Sequence, residues 1–358
     1  MTRSDVVQPV AAPPGLGAEE LSARFAVAAE HAHRTIDATY CIGGRGLRLR
    51  YAGAALYDRL SPSIEHLRAD EIADEHLVEI WDGRSTSTSA PPAPAESAQL
   101  PPAAIVTSTH SGRRAIYQVG VRTLSVVDTD LDRSWYWAAD ADVLPEWESS
   151  TPLRHILHLW LASNGVQFVH AGAVGRPGGG CIIVGKSGSG KSSTTLATLG
   201  SDLLYAGDDY VGVSLEAGGT AYAHSIYGCA KLETDHVARF PDLAFNPRHE
   251  PEGALRARRD KTIFYVRETY PRQVAAGFPL KAIIVPRIAP GEETRLTELP
   301  LGDALRALVP STMFEIHAAG QSALTTLTQV AKRVDTFELQ LGAHMERIPA
   351  LLDEALHP

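Results

Sequence analysis

Cysteine is scarce in this chain of 358 residues: Cys41, Cys181 and Cys229 stand far apart and in no CxxC or Cys/His spacing. That spacing excludes a disulfide framework and a structural zinc site. Positive charge is in deficit too. Lys and Arg total 33 against 42 Asp and Glu, a formal net charge of −9, so no basic field advertises nucleic acid. The short patch Arg256, Arg258 and Arg259 reads as a solvated loop. No apolar run approaches the roughly 18 residues that a spanning helix needs, and the N-terminus lacks the basic-then-apolar signal pattern. The expectations are therefore no membrane, no nucleic acid and a reducing cytoplasm. What the chain does have is ordinary globular composition, 44% hydrophobic and 21% charged. Disorder of the whole chain is excluded on that ground.

The length suits two domains. Residues 1–16, rich in Pro, Ala and Gly, read as a disordered arm. Residues 17–148 read as a small strand-rich domain. Within it a helical spacing runs from Ala18 towards Ala38, strands are expected at Leu47–Tyr51, Leu77–Trp81 and Ala115–Val127 (broken near Gly120), and Ser/Pro-rich 83–102 is expected to be a flexible loop. The aromatic group Trp135, Tyr136, Trp137 and Trp147 is expected to pack in a core or at a domain interface. From 149 to 358 the pattern is α/β. A helix begins at Thr151 or Pro152, short strands follow at Gln167–His170 and Cys181–Val184, and further strands at Leu203–Ala206, Val211–Leu215 and Lys281–Pro286. Helices are expected at Leu301–Leu308, Ala323–Val330 and Ile348–Leu356.

The chemistry concentrates after Cys181–Val184. Gly185-Lys186-Ser187-Gly188-Ser189-Gly190-Lys191-Ser192 has the spacing G-x-x-x-x-G-K-S between an apolar strand and a helix expected to reach about Leu199. In such a loop the glycines let main-chain N–H groups curl around a phosphate, the lysine bridges β- and γ-phosphates, and the serine hydroxyl holds Mg²⁺. Gly185 to Ser192, with Ser193, are the expected nucleotide-binding residues. Asp208 and Asp209 follow Leu203–Ala206 only sixteen positions after Ser192. That compact unit is expected to place both carboxylates at the carboxyl end of a neighbouring strand, where one can organise Mg²⁺ and the other accept a proton. His170 ends its strand; alone it carries little weight. Lys231, in Gly-Cys-Ala-Lys-Leu, can reach phosphate or sit in solvent. Lys261 and Arg287 are weaker cation candidates, with Arg287 able to offer a fork to the γ-phosphate.

Together, Val169-His170-Ala171, the loop Gly185–Ser192 and Ala206-Gly207-Asp208-Asp209 resemble, in register, the HPr kinase/phosphorylase-like serine kinases, which share a nucleotide-binding fold with phosphoenolpyruvate carboxykinase. The chain as a whole is similar, more loosely, to bacterial HPr-kinase-related proteins, some of which occur with ribosomal-peptide biosynthesis. The resemblance implies a phosphate-loop α/β domain preceded by a smaller mostly β domain, and an ATP- and Mg²⁺-dependent kinase acting on a hydroxyl, most simply a serine of a peptide or protein. It implies phosphates on Lys191 and the loop, Mg²⁺ on Ser192 and Asp209, Asp208 as general base, and His170 in support. The family's Glu-x-Arg-Gly-x-Gly-like stretch is missing; Ser225-Ile-Tyr-Gly-Cys-Ala-Lys231-Leu232 stands in its region. Neither HPr as acceptor nor the reverse reaction is therefore implied. Two rivals stay open, a kinase for free serine or a similar metabolite and a nucleotide-dependent ATPase or switch that binds a partner. A homo-oligomer, as in related kinases, stays open too.

Overall fold

In the computed structural model, residues 7–9, 16–70, 72, 75–110, 112–240, 261–289, 291, 293–315 and 320–357 are described. Arg256, Arg258 and Arg259 lie outside them. The chain forms two compact units that divide between Ser163 and Asn164.

The first unit is built on one mixed eight-stranded sheet. Its strand order is Val7–Pro9, Ile105–His110, Arg113–Gln118, Thr123–Asp128, Arg133–Ala138, Glu75–Asp82, Arg45–Ala52 and Thr35–Ile42. Helix Ala18–His31 places Leu21, Phe25 and Ala28 on one stripe, and these bury against Trp81, Val126, Trp135 and Trp137. Trp135, Tyr136 and Trp137 are core packing, and the Trp135 indole N–H donates to the Glu79 carboxylate at 2.8 Å. Helix Arg154–Ser163 covers the other face, where Trp160 stacks on His76 at 5.3 Å. Thr123–Asp128, packed from both sides, is buried throughout.

Several sequence expectations change here. Of the expected disordered arm, Val7–Pro9 is a strand pairing parallel with Ile105–Thr107, while residues 1–6 and 10–15 lie outside the described residues. The Ser/Pro-rich loop has no strand, but it is tied down. Ser85 N–H donates to the Asp82 carboxylate at 2.9 Å, Thr86 is buried with its carbonyl oxygen 3.0 Å from His31 Nδ1, and Ala95–Gln99 forms a 3-10 turn. The helix expected from Thr151 starts at Arg154, because Leu153 adopts φ +55° and interrupts a right-handed start. That helix goes with the first unit, whereas the boundary expected at 148/149 assigned it to the second. Its residues His155 to Leu161 are all buried, and it packs on Thr123–Asp128.

The second unit is a mixed α/β layer structure. Its sheet runs Leu204–Gly207, Gly172–Arg176, Gly179–Ile183, Gly277–Ile288, Ala221–Ser225, Val211–Leu215 and Gln167–Val169. Asp335–Leu341 joins the later half of Gly277–Ile288 in parallel and pairs with Arg295–Glu298. The apolar runs follow from burial on both faces. Ile182, Val184, Ile283 and Val285 pack under helices Leu301–Glu315 and Gln321–Ala331, through residues such as Leu308 and Leu327. Cys181, Ile183, Ala282 and Ile284 pack under helix Ile348–Leu356. Among the described residues no helix is long and apolar enough to cross a membrane.

A separate antiparallel ribbon, Cys229–Glu233 with Lys261–Tyr265, lies beside this sheet. Its Ala230, Leu232 and Phe264 bury with Leu196 and Tyr205. Each large apolar side chain contributes about 1.5–3 kcal/mol on burial. A buried ion pair is about neutral against a hydrophobic replacement, so the apolar face is what anchors the ribbon.

Candidate active site

Three segments that are separate in sequence meet at one end of the second unit's sheet. His170 follows strand Gln167–Val169 directly and lies two residues before strand Gly172–Arg176. The loop Gly185–Ser192 follows Gly179–Ile183, and Asp208-Asp209 follows Leu204–Gly207. The acidic pair was expected on the strand next to the loop's own. Instead Gly172–Arg176 runs antiparallel between those two strands, which makes them parallel to each other and brings all three segments to the same edge.

The loop is shaped by glycine at a position no other residue fits. Gly190 has φ +102°, and a Cβ there would stand 2.3 Å from Leu341 Cδ1. The Lys191 ammonium donates to the carbonyl oxygens of Gly185 at 2.7 Å and Lys186 at 3.3 Å, so its side chain lies folded across the loop. Lys186, Ser187 and Gly188 are exposed; Ser189, Ser192 and Ser193 are half-buried. The helix that follows, Lys191–Leu196, is shorter than expected. It gives way to 3-10-type bonds from Thr198 and Leu199 before Gly200, which has φ +84°. It sits close on the sheet, since a Cβ on Gly172 would meet Thr195 Oγ1 at 2.1 Å. Gly190→Ala is expected to combine a strained φ with a collision at Leu341. The expected outcome is a loss of about 1–3 kcal/mol of stability, read as a lower thermal midpoint than the parent's.

The two aspartates are adjacent but have different surroundings. Asp208 is 1% exposed. Its Oδ2 accepts the Lys231 main-chain N–H at 3.3 Å, and the nearby Ser192 hydroxyl favours its charged form. Burial, reinforced by the Asp209 charge, pushes its proton affinity up. Asp209 is held at φ +74°, a left-handed conformation that is uncommon for a non-glycine residue. His170 Nε2 lies 3.1 Å from its Oδ1, and the Lys231 ammonium donates to its Oδ2 at 2.9 Å. Burial opposes the Asp209 charge, but Lys231 and His170 overcome it and hold the carboxyl well below the usual range. Lys231 is held up in turn by Asp209 against its own burial. Asp209 is thus a fixed anion and Asp208 a carboxylate with a raised proton affinity. A site with two such neighbours can divide acid–base work.

These contacts alter the roles read from sequence. Ser192 lies near Asp208, whereas Asp209, to which the metal was assigned, is engaged by a histidine and a lysine. Lys231, for which both phosphate and solvent stayed open, is buried against Asp209. Arg287 is not brought in: Pro286 lies beside Gly190, but the Arg287 guanidinium is exposed and pairs with Glu338 at 2.8 Å. Thr312, on helix Leu301–Glu315, was missed. It is buried, and its hydroxyl accepts the His170 main-chain N–H at 3.4 Å. No local pattern marks it, because 142 positions separate the two. Tyr210, whose ring centroid is 5.7 Å from that of His170, flanks the imidazole.

The residues fit a magnesium ion. A hydroxyl and a carboxylate are hard oxygen donors, and Mg²⁺ commonly takes only one or two protein ligands and completes its shell with water and phosphate oxygens. Ser192 and Asp208 supply such a pair.

No protein-family model matches this chain. No curated protein matches it. Among solved structures it is similar to the Hpr(Ser) kinase/phosphatase from Coxiella burnetii, at 12% identity, over 53% of this chain and 93% of that one, with a TM-score of 0.28. A likeness at that TM-score carries no weight for fold or function, which rest on the residues described above.

Proposed function

We propose that the protein is an ATP- and Mg²⁺-dependent kinase that transfers the γ-phosphoryl group to a hydroxyl, a serine of a peptide or protein. The observation that carries this reading is that the glycine-rich loop with its Lys191 and the buried Asp208 come to one end of the same sheet, beside an Asp209 anchored by Lys231 and His170. The loop would bind the triphosphate, with Lys191 swinging from the Gly185 carbonyl onto phosphate oxygens. Bound Mg²⁺, on Ser192 and Asp208, would neutralise charge on the phosphates.

In transfer, the acceptor oxygen bonds to the γ-phosphorus while the bond to the β–γ bridging oxygen breaks. The electron pair leaves on ADP and the hydroxyl proton passes to Asp208. A carboxylate offers roughly four acceptor sites. One is used by the Lys231 N–H and one would be taken by Mg²⁺, which leaves room for the acceptor hydroxyl. The role of Asp209 is to stay charged and still.

The test is incubation with γ-labelled ATP and Mg²⁺ in the presence of serine-containing peptides, of free serine, or of neither. Label on a peptide serine, lost on chelation of Mg²⁺, is the expected result. Label on free serine alone would mean a metabolite kinase. Free phosphate alone would mean an ATPase.

A further inference from the structure

The ribbon that delivers Lys231 carries a second lysine. Lys261 opens strand Lys261–Tyr265, with its Cα opposite Glu233, while Lys231 stands opposite Ile263. Directly opposed residues of an antiparallel pair share a face, as do residues two apart along one strand. Lys231, Glu233, Lys261 and Ile263 are therefore on one face, and Ala230, Leu232 and Phe264 are on the other. The second face is buried with Leu196 and Tyr205, which fixes the lysine face towards the aspartates, where the Lys231 ammonium meets Asp209.

Along this face the two lysines have different circumstances. Lys231 is buried and paired. Lys261 is exposed and makes no ion pair among the described residues. Its opposite neighbour Glu233 has its carboxylate grouped with Asp235 and His236, within 4.8 Å. The positive charge of Lys261 nevertheless reaches both Asp208 and Asp209 and draws down the proton affinity of each. Lys191 and Arg287 are each engaged, on loop carbonyls and on Glu338.

Resting on the reading of this site as a phosphoryl-transfer centre, we infer that Lys261 is a further catalytic residue whose ammonium contacts the phosphoryl group in flight, while Lys231 is a positioning residue that holds Asp209. Phosphoryl transfer spreads negative charge over three equatorial oxygens, beside two carboxylates that repel it. An ammonium on a flexible stem, unpaired among the described residues, offsets that charge. Lys261 neither gives nor takes a proton; bond making and breaking are as set out for Asp208.

The experiment compares the full-length parent with Lys261→Met and Lys261→Arg. Each is assayed for transfer from γ-labelled ATP and for binding of ADP, and of ADP with fluoroaluminate, in Mg²⁺. Removing one donor to a developing charge costs about 10²–10³-fold in turnover, and that loss is expected for Lys261→Met, with ADP affinity within about threefold of the parent. Its preference for the fluoroaluminate complex over ADP should fall at least about tenfold, and Lys261→Arg should restore most of it. Lys261 is exposed, so the variants should keep the parent's thermal midpoint. A Lys261→Met protein with the parent's preference for the fluoroaluminate complex overturns the inference. If the parent prefers that complex yet labels no hydroxyl, the kinase reading falls, and the Met variant still decides the role of Lys261. A parent that shows no such preference overturns both.

Discussion

Asp208→Asn should lower phosphoryl transfer by roughly 10²–10⁴-fold, the usual contribution of a positioned acid or base. Asparagine matches aspartate in shape and keeps an oxygen for the Lys231 N–H, but it cannot take up a proton. ATP affinity should stay within a few-fold, since Lys191 and the loop are untouched. The same change should leave the protein at least as stable as the parent. Burial raises the proton affinity of Asp208, so its charged form is favoured more in the unfolded chain, and the stability it takes away is lost to the fold at neutral pH rather than in acid. A thermal midpoint at or above the parent's, with turnover near zero, is the combined signature of a site kept for function. Parent-like turnover would remove Asp208 as the proton acceptor.

Lys231→Met should have the largest effect on stability. It leaves the Asp209 carboxylate largely buried with only His170 beside it. Breaking a buried pair from one side costs about 3–5 kcal/mol, and the remaining histidine places the loss near the lower end, about 3 kcal/mol. At roughly 2–4 °C per kcal/mol for a unit of this size, the midpoint should drop by about 6–12 °C. Pairing Lys231→Met with Asp209→Asn removes both charges and should recover most of the loss. The pH dependence has a definite sign. The contribution of Asp209, whose folded value is depressed, is present above the ordinary carboxylate value near 3.9 and is lost as pH falls through the folded one. The contribution of Lys231, whose folded value is raised, is present below about 10.4 and is lost as pH rises through its folded value. Between those limits the gap between parent and Lys231→Met should be flat. Denaturant titrations across pH check it, and a variant as stable as the parent would show the pair to be worth nothing.

The glycine-rich spacing of Gly185–Ser192 was legible because every part of it is local. Gly185, Gly190, Lys191 and Ser192 act through backbone curvature and neighbouring side chains, and eight consecutive residues hold all of that information. The strand Cys181–Val184 was legible for a related reason, since an unbroken apolar run implies cover on both faces. The division of labour between Asp208 and Asp209 was not legible in this way. Adjacent residues look alike in sequence, and the left-handed turn at Asp209 that sends its carboxylate to the Lys231 ammonium, with Asp208 left to the Lys231 main-chain N–H, belongs to the backbone. Lys231 and Arg287 were likewise read from local context, whereas their pairing depends on Asp209, in the bend after Leu204–Gly207, and on Glu338, from another strand.

By itself, then, the sequence determined the apolar strands, the glycine-rich loop and the set of chemically capable residues, because periodicity and steric freedom are properties of neighbours along the chain. Only the tertiary structure decided which of those residues meet. The inserted strand Gly172–Arg176 aligns three distant segments at one edge, and the ribbon's register sets two lysines on one face. Pairing between strands is fixed by packing across the whole sheet, and no short window of residues contains it.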